Sequence, residues 1–348
     1  MPKINFGRDY EIMGRAVKDL GQERAVALMM EAVATGKVKP EEYSLVDLYE
    51  SLDSTQFPKA TAALIHKKVM EGYESTPTIG DQLVTTVPSS KKVETIVGFT
   101  AAEGPKQVLE GMPYEDSGIS EKYVTIENRK FGRLISVTEE TLQFDQTGQI
   151  LQRAYRIGEK AAYYREKEIV EAVAGINAGY WPSGSSTTFY TSHTQGANTV
   201  SGGGGVINET TLQLVKDKMD NMKDENGDYV LINQSGMILL VPPELEVESW
   251  QIMNAVDYGV RGTDYFGVPN YFRGRYKVLS SPFLTTATTW YLGDFKKDWW
   301  WTEVYPIQIQ IKKSDEDKFH RDVIAYYKVR YFGRCGAVDF VHSYNCTN

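Results

Sequence analysis

The chain has 348 residues and a mass of 39.2 kDa, enough for two domains or one large composite fold by the usual length prior. Its 41% hydrophobic and 24% charged content is that of a folded globular chain and excludes a disordered one. With 38 basic and 46 acidic residues the formal charge is −8, which argues against a broad polybasic surface for nucleic acid or membrane.

The longest purely apolar run of the second half, Met237–Val241, is far too short to cross a bilayer. No basic segment followed by an apolar stretch opens the chain, so nothing in it reads as a secretion signal. Cys335 and Cys346 cannot build a disulfide framework and are expected to be reduced thiols, in a soluble chain kept in cytosol-like conditions.

Residues 1–75 read as three short helices. Ile12, Ala16, Val17 and Leu20, then Val26, Met29, Met30 and Val33, follow helical spacing until Gly36 stops the pattern. Pro40 opens a second helix carrying Leu45, Leu48, Tyr49 and Leu52, and a third runs from Pro58 to about Met70. These helices begin a packed domain or form an extended arm docking on a neighbour.

Lys92–Thr100 and Ser120–Val137 are rich in β-branched and aromatic residues and read as the two strands of a long ribbon. The nineteen residues between them hold Gly104, Pro105, Gly111, Pro113 and Gly118, a long tip made of turn formers. A two-stranded ribbon is marginal in water by itself. Either a further element of the same chain covers it, or another subunit does.

Thr138–Ala174 is the longest predicted helix, capped by Asp145 or Thr147 and ended by Gly175. Ile150, Ala154, Ile157, Ala161 and Tyr164 lie on one stripe, continued by Ile169 and Val173. Arg153, Arg156, Glu159, Lys160, Arg165, Glu166 and Lys167 form the opposite, charged side. Residues 176–206 are rich in Gly, Ser, Thr and aromatics and read as irregular loop.

Asn208 then caps a helix with Leu212, Val215, Met219 and Met222 in phase, Asp224–Asp228 is a turn, and Met237–Val241 is a buried strand. Pro242-Pro243-Glu244 restarts a helix, with acidic residues in its first turn. Ile307, Ile309 and Ile311 alternate with polar residues, and Arg321–Tyr331 alternates likewise, so the last third is mostly strand. No repeat array is visible. The order is α+β.

A coherent set of catalytic residues is missing. Gly202–Gly205 lacks the Lys-Ser/Thr of a phosphate loop and reads as a linker. Asp224, Asn226 and Asp228 have the first three spacings of a calcium loop, but Tyr229 replaces its glycine and Ser235 its bidentate Glu, so the segment reads as a turn. His66, His193, His320 and His342 stand singly, without a second ligand at metal spacing. Ser192 and His193 are adjacent, and adjacent side chains rarely meet. Trp299-Trp300-Trp301 is a core or subunit-interface cluster more readily than a sugar platform. The expectation is therefore a non-enzyme, with no catalytic, cofactor-binding or metal residues and no cofactor.

Five segments in order carry a resemblance. Glu121–Asp145 (EKYVTIENRKFGRLISVTEETLQFD), Thr138–Gly175, Phe189–Gly202 (FYTSHTQGANTVSG), Met222–Glu246 (MKDENGDYVLINQSGMILLVPPELE) and Val323–Tyr344 (VIAYYKVRYFGRCGAVDFVHSY) together resemble the major capsid protein of tailed phages (Caudoviricetes) with the Hong Kong 97-type fold, closest to Mu-like and prophage head subunits. They look like the return strand of that family's extended loop, its spine helix, a characteristic loop, the strand-to-helix signature and the terminal strand. The loop usually carries His-Gly-Asn where this chain has His193-Thr194-Gln195. The first 75 residues match no motif of the family, and no residue is carried over for the lysine–asparagine crosslinking that some members perform.

The resemblance implies an N-terminal helical arm at 1–75 and an extended-loop hairpin at 93–131. It implies a peripheral domain at 132–206 and 293–332 with the spine helix at 147–174, and an axial domain at 207–292 and 333–348. The ribbon, unsupported by its own chain, would lie on the next subunit. Head-to-tail contacts of this kind close into rings, here implied to be hexamers and pentamers tiling an icosahedral shell around double-stranded DNA touched only non-specifically. A separate scaffolding protein is expected because too few residues precede the fold for a fused scaffold. A portal protein and a decoration protein are further implied partners, the virion is the implied location, and assembly is implied to occur in host cytoplasm. An encapsulin-like compartment shell remains the alternative, followed by a cytosolic ligand-binding protein or enzyme using the tryptophans and the 176–206 loop.

Overall fold

The computed structural model describes residues 21–37, 48, 52, 56–99, 121–138, 140, 149–175, 179–180, 187–193, 195–201, 206–224, 226–257, 269–312 and 322–347. In chain order the elements begin with helices α1 (Gln22–Ala34), α2 (Gln56–Ser75) and the single turn α3 (Gly80–Leu83). Strands β1 (Thr85–Pro88), β2 (Val93–Phe99), β3 (Glu121–Glu127) and β4 (Arg129–Thr138) lead to the long helix α4 (Gln149–Val173). Five two-residue strands follow: β5 (Gly179–Tyr180), β6 (Thr187–Thr188), β7 (Ser192–His193), β8 (Gly196–Ala197) and β9 (Thr199–Val200). Then come α5 (Glu209–Asp220), β10 (Ile238–Val241), a 3-10 turn (Pro243–Leu245), α6 (Glu246–Asn254), β11 (Lys277–Ser280) and β12 (Trp290–Gly293). The chain ends with α7 (Phe295–Asp298), β13 (Trp299–Lys312), β14 (Val323–Ala337) and β15 (Ser343–Cys346).

One sheet has four strands in the order β1-β13-β14-β4, a second has five in the order β11-β10-β12-β15-β9, and β2-β3, β5-β6 and β7-β8 are separate pairs. This is the α+β content expected from the sequence. The chain divides into two units, the first comprising Met1–Thr78, Lys130–Arg165 and Tyr305–Phe332, the second Ile79–Arg129, Glu166–Val304 and Gly333–Asn348.

The core of the first unit joins α1, α2, the first turns of α4 and the strand residues Ile135, Val137, Ala325, Tyr327 and Val329. Val26, Met29 and Val33 on α1 are buried at the predicted spacing, and Gly36 (φ 71°) closes the helix with its N–H on the Val33 carbonyl. Helices α2 and α4 cross at Gly72 and Gly158. A Cβ built on Gly158 would lie 2.0 Å from the Val69 carbonyl oxygen, and one on Gly72 would lie 2.1 Å from that of Tyr155. Only glycine lets the two backbones approach so closely. Beside the crossing, Ser75 Oγ and the Tyr155 hydroxyl share a 2.8 Å hydrogen bond.

In the second unit β10 pairs parallel with β11 and antiparallel with β12, and β12 pairs antiparallel with β15. Leu239, Leu240, Val241, Trp290 and Leu292 are buried in this sheet. Asn208 caps α5 as predicted, in a reciprocal box with Thr211. Strand β1 pairs parallel with Trp300–Glu303 of β13.

Several sequence expectations fall outside the described residues: the helix through Ile12–Leu20, Leu45 and Tyr49 of the second helix, the ribbon's tip, the caps Asp145 and Thr147, Gly202–Gly205 and His320. Others are corrected. Ser120–Val137, expected as one strand, is cut at Asn128 into β3, which pairs with β2, and β4, in the four-stranded sheet. Tyr164, placed on the apolar stripe of α4, is exposed, and Glu166, placed on the charged side, is 6% exposed. Glu166 accepts the backbone N–H groups of Ile79 (3.0 Å) and Gly80 (2.8 Å), which explains its burial. Within 176–206, read as irregular loop, the structure places the strands β5–β9. β1, β11, β12 and β15 were not expected. Each is four residues long, too short to show a period.

Candidate functional site: the assembly surfaces

Strands β2 and β3 form an antiparallel pair separate from the larger sheets. Its register opposes Val97 to Tyr123, Thr95 to Thr125 and Val93 to Glu127 on one face, and Ile96 to Val124 on the other. The second face is partly covered by its own chain: Val124 and Ile126 are buried, and a Cβ on Gly336 would sit 2.6 Å from Ile126 side-chain carbons. The expectation that the ribbon lacks all support from its own chain is therefore corrected at its root. The first face stays open, with Val97 55% and Tyr123 44% exposed as a cross-strand apolar pair. An exposed strand face of this kind is normally covered or charged.

Asn128 holds the root. Its backbone N–H donates to the Lys92 carbonyl (2.8 Å), and its Nδ2 donates to the Lys91 carbonyl (2.8 Å) and Ser89 Oγ (3.1 Å). The Thr302 hydroxyl donates toward Asn128 Oδ1 and the Arg334 carbonyl, and Ser89 Oγ donates to Glu94 Oε2. Asn128 is buried. The only sequence signal was a polar amide interrupting a β-branched run.

The segment 189–200, singled out by its sequence, is organised by fully buried Asn198. Its Oδ1 accepts the Thr191 N–H (2.9 Å), and its Nδ2 donates to the Phe189 carbonyl (3.1 Å). His193 Nε2 lies 2.9 Å from the same carbonyl, and its ring stacks on Phe340 at 3.8 Å. Burial lowers its pKa from the ordinary histidine value. Ser192 and His193 are successive residues of β7 and so face opposite sides, which leaves no nucleophile–base pair there.

Trp299 and Trp301 are buried, with Trp299 packed 4.5 Å from Phe189 and Trp301 against the backbone at Gly333. They are core side chains, not an open aromatic platform. Asp298, fully buried, accepts the backbone N–H of His342 (2.9 Å), and its other oxygen lies 3.1 Å from His342 Nδ1. Burial raises the Asp298 pKa, opposed by the bond to His342. Burial alone would pull His342 down, but the hydrogen bond and charge of Asp298 prevail and raise it. Asp224 Oδ1 accepts the N–H groups of Asn226 and Asp228, both at 2.9 Å, within its own turn. Among the described residues no group of three or more side chains is placed to hold a metal, and no helix is long and apolar enough to cross a membrane.

The first unit carries an open groove of about 490 Å³ between α1, α2 and β13. Ala34, Ala62 and Ala63 line it with small side chains, Met30, Ile309 and Ile311 with large ones, and Lys59, His66 and Lys67 with basic ones.

The chain thus combines a two-stranded hairpin with one open face, a 25-residue helix and sheets of four and five strands. The phage capsid protein family model matches residues 122–341, more than half of the chain, and the chain belongs to that family. Its fold is the Hong Kong 97 type, and it is a shell-forming major capsid protein. The capsid of a native GTA particle is similar at 12% identity and a TM-score of 0.54, with 77% of this chain and 88% of that one covered. The capsid of the cyanophage P-SCSP1u is similar at 12% identity and a TM-score of 0.55, with 78% and 88% covered. No curated protein sequence matches the chain.

Proposed function

We propose that this capsid protein assembles as hexamers and pentamers into an icosahedral head around double-stranded DNA. The observation that carries the reading is the hairpin: rooted by the Asn128 bonds, with Val97 and Tyr123 left exposed on one face. A rooted ribbon with one bare apolar face gains stability by lying on a neighbour. A neighbour reached in the same sense by every copy makes a heterologous contact that closes into rings. Many such contacts act together, so none need be strong.

In this reading residues 1–75 are the arm and 93–131 the extended loop. Residues 132–206 with 293–332 form the peripheral domain, carrying the spine helix, and 207–292 with 333–348 the axial domain. A separate scaffolding protein guides closure in the host cytoplasm, a portal protein occupies one vertex, a decoration protein can sit outside, and the finished subunit resides in the virion. The excess of 46 acidic over 38 basic residues suits a wall that does not grip phosphates, so DNA contact is non-specific.

The test is negative-stain electron microscopy of the protein expressed alone and with its neighbouring genes, after size-exclusion fractionation. Closed particles, rings, tubes or sheets support the proposal. A clean monomer or dimer in both expressions refutes it. Shells that enclose an enzyme instead of DNA shift the reading to a compartment.

A further inference from the structure

We infer that the α1–α2–β13 groove is the docking site for an acidic amphipathic helix supplied by a separate assembly partner. The floor comes from Ala34, Ala62 and Ala63, side chains small enough for a helix to lie close over them. On α2 the groove-lining positions are 59, 62, 63, 66 and 67. This i, i+3, i+4, i+7, i+8 stripe runs about 12 Å at the helical rise, and amphipathic helices dock on such faces through anchors at the same spacing. Met30 and Ile311 are 42% and 43% exposed, so two large apolar walls stand open.

Charge complementarity names the occupant. The lining includes Lys59, His66 and Lys67 but no carboxylate. Neither Lys59 nor Lys67 forms an ion pair with a described residue, whereas their neighbour Lys68 is buried and bound to Glu71 at 2.9 Å. Two ammonium groups without an ion-pair partner among the described residues, beside an apolar trough in a chain with net charge −8, select a partner that brings its own carboxylates. Apolar anchors fill the trough while Asp or Glu on the flanks meet Lys59 and Lys67. That the partner serves assembly rests on the capsid reading; the groove's selectivity does not.

The probe is a fluorescein-labelled 18-residue helical peptide with leucines at i, i+3, i+7 and i+11 and glutamates flanking them. A second peptide has every glutamate replaced by lysine. In anisotropy titrations of the dissociated subunit, the glutamate peptide is expected to bind at least ten-fold more tightly than the lysine peptide. Lys59→Glu/Lys67→Glu should invert that preference, and Ile311→Glu should weaken the glutamate peptide by at least ten-fold. No binding by either peptide, equal binding by both, or an unchanged preference in the double variant overturns the inference.

A second copy is the competing occupant. Ala63→Cys distinguishes it: maleimide should reach residue 63 equally fast in dissociated subunits and in particles assembled from this chain alone. Protection in those particles means that a copy of the chain covers the groove, which also overturns the inference. Electron microscopy of the same wild-type and double-variant samples reports shell formation separately. Wild-type samples without shells, rings, tubes or sheets sink the capsid reading while the anisotropy still decides the groove.

Discussion

Gly158→Ala should destabilise the subunit, although helix propensity alone says the reverse. The new methyl would begin 2.0 Å from the Val69 carbonyl oxygen and 2.9 Å from the Tyr73 nitrogen, where ordinary contact starts at 3.4 Å. The backbones must therefore part by up to 3.4 − 2.0 = 1.4 Å, and no rotamer change relieves a contact with main-chain atoms. Leu64, Ile65 and Val69 of α2 are fully buried in the core, so the helix cannot shift without opening that packing. Overpacking of this severity costs about 3 kcal/mol, offset by about 1 kcal/mol from replacing a mid-helix glycine. The net loss of about 2 kcal/mol corresponds to a fall in Tm of roughly 4–8 °C for a body of this size. Gly72→Ala should behave alike. Because one separation of the helices relieves both contacts, the double variant should lose less than the sum of the singles. Urea unfolding of the dissociated subunit followed by circular dichroism measures all three. A neutral or stabilised Gly158→Ala, or strictly additive losses, would refute the reasoning.

Asn128→Ala removes both hydrogen-bonding ends of a buried amide and should cost about 2–4 kcal/mol, with amide hydrogen exchange accelerating first in β2 and β3. Ile126→Ala leaves a void against Gly336, also at about 2–4 kcal/mol, and the same exchange measurement should show the hairpin loosening while α5 and β10 stay protected. Glu166→Gln keeps the shape but weakens two charge-assisted bonds to Ile79 and Gly80, lowering Tm by a few degrees, whereas Glu166→Ala strands both N–H groups and loses more. For the Asp298–His342 pair, His342 is raised above its unfolded value. Its stabilising contribution is therefore complete below the ordinary histidine pKa, about 6.5, and is lost as pH rises through the higher folded value. Thermal melts between pH 6 and 8.5 should fall with pH in the native chain and flatten in His342→Gln; identical slopes would show that this imidazole does not carry the effect.

What was legible in the sequence was what repeats. The 3.6-residue spacing of Val26, Met29 and Val33, the alternation through β13 and β14, and local punctuation at Gly36, Gly175 and Asn208 all have short-range causes, and the structure places them as read. The contacts that organise the assembly surfaces are long-range. Asn128 meets Thr302, Glu166 meets Ile79 and Gly80, and Asp298 meets His342, across separations that no local pattern spans. Glu166 misled because one polar position on an amphipathic helix looks like any other until its partner is known. The groove was invisible for the same reason: Ala62 and Ala63 read as ordinary helix formers, and only the placement of Ile309 and Ile311 beside them makes a trough.

Both cysteines are free thiols and both are buried, Cys335 on β14 and Cys346 on β15. Burial also raises the Cys346 pKa above the ordinary thiol value, which keeps the nucleophilic thiolate scarce. On the proposed assembly in host cytoplasm, the shell passes from a reducing interior into air-exposed medium with no machinery to repair oxidised sulfur. Sealing both sulfurs inside the subunit means that ageing particles neither crosslink copy to copy through stray disulfides nor accumulate sulfinic acids at their seams. For a container whose storage time is open-ended, chemical silence is as much a material property as mechanical strength.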